Sequence, residues 1–135
     1  MSGISDLKVL LSSMDPQLAD GDYLYCTTPE GTLADHLHLE PAGMFREAEG
    51  WTLILPATAD TAGLAASGPM RMITLKVHSS LEAVGLTAAF AAALTKAGIS
   101  VNVVAGYYHD HIFVPAADAE RALEALRSLA AEASA

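Results

Sequence analysis

Apolar residues recur at helical spacing from Ser5 to Ser13, where Leu7, Leu10 and Leu11 share one side of a short first helix. Asp15-Pro16 ends it, and Asp20-Gly21 marks a turn. Tyr23–Thr27 alternates as a strand, with Leu24 and Cys26 on one face and the two tyrosines on the other. Pro29 to Gly43 shows no clean period and reads as irregular. Met44–Glu47 and Trp51–Leu55 form a strand pair around Ala48-Glu49-Gly50, whose glycine suits the positive φ of a tight hairpin. Pro56 stops the second strand. Ala57–Ala66 then reads as a short helix closed by Gly68-Pro69.

The second half is more regular. Arg71–His78 alternates strictly, with Ile73, Leu75 and Val77 facing one way and Thr74, Lys76 and His78 the other. Ser79-Ser80-Leu81-Glu82 fits a capping box and predicts a helix from Leu81 to Ala97, stopped by Gly98. From Ala83 to Leu94 that helix has Thr87 as its only polar side chain, which predicts burial on two sides, the second against the other half or a second chain. Ile99–Ala105 is a strand, Gly106–Asp110 a loop, and Ile112–Val114 the returning strand. After Pro115 a last helix turns Ala119, Ala122, Leu123, Leu126, Leu129 and Ala130 inward.

The halves echo each other. Leu53-Ile54-Leu55-Pro56-Ala57 with Leu64 corresponds to Ile112-Phe113-Val114-Pro115-Ala116 with Leu123, at an offset of 59 residues. Strand, helix, strand, strand, helix, twice over, is a ferredoxin-like α+β pattern, with antiparallel sheets and helices on one face. The division falls between residues 1–69 and 70–135. The first half has only the irregular Pro29–Gly43 stretch where the second has its crossover helix.

Composition narrows the function. The chain has 135 residues, 52% apolar and 17% charged, enough for a packed core. Its formal net charge of −9 repels phosphate backbones, so nucleic acid is not an expected partner. Residues 1–69 hold two basic and ten acidic side chains, against five and six in the remainder. No window has the apolar length of a membrane span, and the first residues carry Asp6 and Lys8 where a signal peptide needs an apolar run, so a cytoplasmic protein is expected. One cysteine, Cys26, excludes an internal disulfide and a cysteine-rich zinc site.

The chemical candidates are few. His36-x-His38 and His109-Asp110-His111 place imidazoles two apart, as a chelate needs, but neither has a spaced third ligand, so no metal or other cofactor is expected. Cys26 shares a face with Leu24, as a buried apolar residue does. His78 and Ser79 are sequence neighbours whose side chains diverge on a strand end. No phosphate loop or paired-carboxylate motif appears, so the chain is not read as an enzyme. A dimerisation or scaffold module without a ligand is the alternative to a small-molecule-binding function, with a His-based metal-binding protein behind it.

Two stretches carry a family resemblance. They are Ile73-Thr74-Leu75-Lys76-Val77-His78-Ser79-Ser80-Leu81-Glu82-Ala83-Val84-Gly85-Leu86-Thr87 and the run from Ala97-Gly98-Ile99 through Ala105-Gly106-Tyr107-Tyr108-His109-Asp110-His111 to Pro115. They resemble the bacterial tandem ACT-domain proteins of uncharacterised function, as does Phe45–Leu53 in the first half. The resemblance implies two ACT-like subdomains about a pseudo-dyad, open to exchange of edge strands. It also implies a regulatory module that binds an amino acid or similar small metabolite at the subdomain interface, in a chain open to homo-oligomer formation. Carried over by residue, the ligand loop is His78, Ser79, Ser80 and Leu81. Gly85 is the helix's close-approach glycine, and the facing wall is Asn102, Ala105, Gly106, Tyr107 and Asp110. The N–H groups at the helix start suit a carboxylate, and Asp110 suits an ammonium.

Overall fold

The computed structural model describes residues 6–78 and 83–135. The predicted start at Ser5 and the predicted capping box Ser79–Glu82 lie outside the described residues. The chain divides into two compact units, Met1–Ala19 with Arg71–Ala135, and Asp20–Met70. The segment ending at Ala19 therefore groups with the second half of the sequence, not with the residues that follow it.

In the first unit, helix α1 (Leu7–Ser12) begins where the Asp6 carboxylate accepts the Val9 N–H at 3.1 Å. Strand β1 (Pro16–Leu18), unforeseen because it is only three residues long, pairs antiparallel with the last residues of β5 (Ala65–Leu75). Helix α3 (Leu86–Lys96) is followed by β6 (Asn102–Ala105), β7 (Asp110–Pro115) and helix α4 (Ala119–Ser134). β7 lies between β5 and β6. The core takes Leu10 from α1, Phe90 and Leu94 from α3, and Ala122 and Leu126 from α4. These meet Ile73 and Leu75 of β5 and Ile112 and Val114 of β7. Helices thus cover one face of the sheet, as the alternation in 71–78 requires.

Two expectations about α3 need correction. The predicted Leu81–Ala97 helix is not one unbroken element: α3 begins at Leu86, because Gly85 adopts φ +100°, a left-handed conformation no helix interior accommodates. Nor is it buried on two sides within the chain. Leu86, Phe90 and Leu94 are buried, whereas Thr87, Ala88, Ala92 and Thr95 are exposed. Alanine exposes so little apolar area that a second covered face is not required. Ala92→Glu should leave the melting temperature nearly unchanged, within about 0.5 kcal/mol, and the mass on gel filtration the same. A drop in either would mean that a second copy covers this face.

In the unit Asp20–Met70, β2 (Tyr23–Thr28) pairs with β4 (Gly50–Pro56), β4 with β3 (Gly43–Glu47), and β2 with the first part of β5, all antiparallel. Pro29–Gly43 is less irregular than its pattern suggests. It holds a one-turn helix α2 (Leu33–His36) and a 3-10 turn, Leu37–Leu39. Cys26, Leu53 and Leu55 form a small core with Leu24, Leu39, Met44 and Leu64 around it.

Ala57–Ala66 is not a helix. Ala59 N–H bonds to Pro56 O, Leu64 N–H to Thr61 O, and the Asp60 carboxylate takes the Ala62 N–H at 3.1 Å. With Gly63 at φ +82° the segment is a series of turns, and β5 has begun by Ala65. The local side-chain bond competes with helix at a site where alanine-rich composition alone favours it. Gly68-Pro69 does not end an element either. It occupies the register shift between β2 and β5, where Tyr23 opposes Met70 but Tyr25 opposes Ser67, a place that needs no proline N–H. The 59-residue echo therefore holds for strand and proline but not for the helix after Pro56.

Candidate functional site

The hairpin β6–β7 carries most of the expected site residues. Its loop closes through the Gly106 N–H, which donates to His109 O at 2.9 Å. A Cβ on Gly106 would stand 2.9 Å from that oxygen and 3.3 Å from His111 Nε2, so the turn has no space for a side chain. His111 Nδ1 lies 2.9 Å from Thr74 Oγ1 on β5, which anchors the hairpin to its neighbour strand.

Alternation along β7 separates two rows. Ile112 and Val114 point into the helix-covered core, and Asp110 ends the same row. Asp110 is only 9% exposed. Burial pushes its carboxyl above the ordinary carboxylate range, and His111 and His109 draw it part of the way back. Burial, with help from His109, lowers the His111 imidazole; Asp110 opposes this and Lys76 adds a little. In the folded chain both groups are therefore shifted toward their neutral forms. The Asp110 contribution to stability is present at acid pH and declines as pH rises from the ordinary aspartate value through its raised one. The His111 contribution is present at neutral pH and declines as pH falls through the ordinary imidazole range.

His78, at the end of the alternating segment, places its ring 5.4 Å from Tyr108. Tyr107 meets Tyr108 edge-on at 4.9 Å. The hairpin loop and the entrance to the segment before α3 thus come together through His78, Tyr108 and Tyr107. Ala105 pairs directly with Asp110 and shares its face. Ser79, Ser80 and Leu81 lie outside the described residues.

Two expected residues are placed differently. Asn102 pairs with Phe113, on the opposite face from Asp110, and its Nδ2 donates to Phe113 O at 3.5 Å. Gly85 does not face another backbone: a Cβ there would lie 3.1 Å from Leu7 Cδ2 of α1. Sequence reasoning missed Tyr108, Thr74 and Leu7 as supports. Thr74 carried a signal, since it sits on the same face of the alternating strand as His78. Leu7 carried none, because it lies 78 residues from Gly85.

Of the imidazoles weighed as metal ligands, His36 Nε2 lies 3.1 Å from Glu30 O and His111 Nδ1 is engaged with Thr74. Among the described residues no three His, Cys, Asp or Glu side chains group as metal ligands. Burial raises the Cys26 thiol, which favours its protonated form. No helix among the described residues is long and apolar enough to cross a membrane.

Residues 2–71 match an ACT-domain profile and residues 67–128 match a second one. The chain belongs to the ACT-domain family. This tandem ACT protein is 57% identical to a protein of unknown function from Vibrio cholerae, described as a possible transport protein. That match covers 96% of this chain and 99% of the other, with a TM-score of 0.83. A protein from Agrobacterium tumefaciens is similar at 14% identity and TM-score 0.69, over 85% of this chain and 87% of that one. The ligand-free regulatory subunit of aspartate kinase from Thermus thermophilus is similar at 9% identity and TM-score 0.66, over 87% and 97%. The last two are likenesses of fold alone; with the two profile matches they fit a ferredoxin-like tandem ACT fold for this chain. No functionally curated protein matches the sequence.

Proposed function

We propose that this ACT protein is a regulatory module without a catalytic step of its own, and that it binds an amino acid or similar small metabolite beside the β6–β7 hairpin. The ligand's carboxylate meets the His78–Leu81 segment, and its ammonium meets Asp110. Gly106 and Tyr107 form the wall. Gly85 sets where α3 begins and so where its first N–H groups point. Asn102 supports the hairpin from its other face. Family membership supports the class of function.

The observation that carries the reading is Asp110. A carboxylate ending a row of core residues, and pushed toward its neutral form by burial, costs the unliganded fold stability. A ligand ammonium offsets that cost with a charged hydrogen bond.

Two measurements follow. A thermal shift screen against the common amino acids should give a selective rise in melting temperature, because a ligand that binds only the folded state stabilises it by mass action. Asp110→Asn should lower affinity for that ligand about tenfold or more, the effect of losing one charged hydrogen bond. At neutral pH the same substitution should leave the unliganded protein as stable as before, or more so, because it removes a charge that burial disfavours. Equal affinity in both forms, or no selective shift at all, would defeat the reading; a ligand-free scaffold gives the second result.

A further inference from the structure

We propose that the unit Asp20–Met70 has a binding site of its own, between the loop after β2 and the β3–β4 hairpin, for a small zwitterion with an apolar side chain. It does not rest on the Asp110 site. A cavity of about 390 Å³ opens there, bounded by Gly31, Thr32 and Leu33 on one side and Arg46, Glu49 and Trp51 on the other. That volume lies within the range of small-molecule sites.

Its loop and hairpin are tied together before anything binds. The Trp51 indole N–H donates to Gly31 O at 3.1 Å, tying hairpin to loop. His36 Nε2 lies 3.1 Å from Glu30 O and braces the loop from behind. The Gly50 backbone lies so close to Thr28 and Pro29 that a Cβ would stand 2.7 Å from Pro29 Cα. A site already in shape spends little binding energy on ordering.

The chemistry is specific. Residues 20–70 hold eight carboxylate side chains and a single Lys or Arg, which is Arg46. Anions are repelled by most of this unit, yet its one guanidinium stands at the cavity, 5.1 Å from the centre of the Trp51 ring. A guanidinium held over an indole presents its N–H fork for bidentate capture of a carboxylate. Two glutamates line the cavity; Glu47 accepts the Thr52 hydroxyl through one oxygen, and Glu49, at the hairpin turn, is assigned as the acceptor for an ammonium. Leu33, 48% exposed, offers apolar surface to a side chain.

Trp51 is the only tryptophan, so its emission reports on this cavity. The full-length protein is titrated with each common amino acid except tryptophan, whose own emission interferes. A saturable change is expected with at least one apolar amino acid. Arg46→Gln should weaken it about tenfold or more, and Glu49→Gln should weaken it in the same direction. Arg127→Gln on α4 should leave it unaltered. The proposal fails if no amino acid gives a saturable change up to about 10 mM. It also fails if Arg46→Gln, with an unchanged circular dichroism spectrum, binds as tightly as the parent. The thermal shift that depends on Asp110 is a separate readout. Its absence with the Trp51 titration intact defeats only the Asp110 reading, and the converse defeats only this one.

Discussion

Phe90→Ala should destabilise the protein by about 3–5 kcal/mol, the range for removing a fully buried aromatic side chain. Phe90 is 0% exposed and lies among the residues of α3, α4 and the sheet that close the larger core. The same core holds β-strand residues such as Ile73 and Ile112, which cannot collapse into a cavity without moving the sheet. Urea unfolding followed by far-UV circular dichroism would show a lower midpoint at similar slope. A loss below about 1 kcal/mol would mean that α3 does not pack as described.

The second large effect is expected at the β3–β4 hairpin. Gly50→Ala places a methyl group against the Thr28 carbonyl oxygen, with the backbone at φ +138°. Both the contact and the conformation are unfavourable for an L side chain, and neither neighbour can rotate away because both are main chain. A cost of about 3 kcal/mol is expected, with Trp51 emission as a direct probe since Trp51 pairs with Thr28. Gly21→Ala is the control. Gly21 also has positive φ, +78°, but nothing lies within 4 Å of its Cβ position, so only about 1 kcal/mol should be lost. Similar losses at both positions would show that conformation alone, without the close approach, accounts for Gly50.

The candidate sites were legible to different degrees. His78 and the Gly106–Asp110 loop were visible because a strictly alternating strand and a glycine-opened hairpin are local patterns. The Arg46–Trp51 cavity was not. The hairpin was read correctly, but its opposite wall is Gly31–Leu33, in a stretch with no period. The Trp51–Gly31 hydrogen bond and the close approach of Gly50 to Thr28 and Pro29 bring the two together. Asn102 shows the reverse failure. It is near Asp110 along the hairpin, but pleating sends the two side chains to opposite faces, and the pairing register decides which.

The sequence by itself determined the elements whose signals are local and strong: the alternation of Ile73, Leu75 and Val77, the Gly98 stop of α3, the inward row of α4, and the two strands that end in proline at 56 and 115. Periodicity suffices there because each residue's face follows from its neighbours two to four positions away. Tertiary structure decided the rest. Ala57–Ala66 forgoes its helical composition because turns bring Ala59 and Leu64 onto the small core. Pro69 remains within a strand because a register shift in β2–β5 needs no N–H from it. The segment ending at Ala19 groups with Arg71–Ala135 because β1 finds its partner in Ile73–Leu75 and because Leu10 and Met14 complete a core built from distant sequence. Pairing and burial between residues more than fifty positions apart leave no trace in local pattern, and these long-range contacts determine where each short or weakly patterned segment settles.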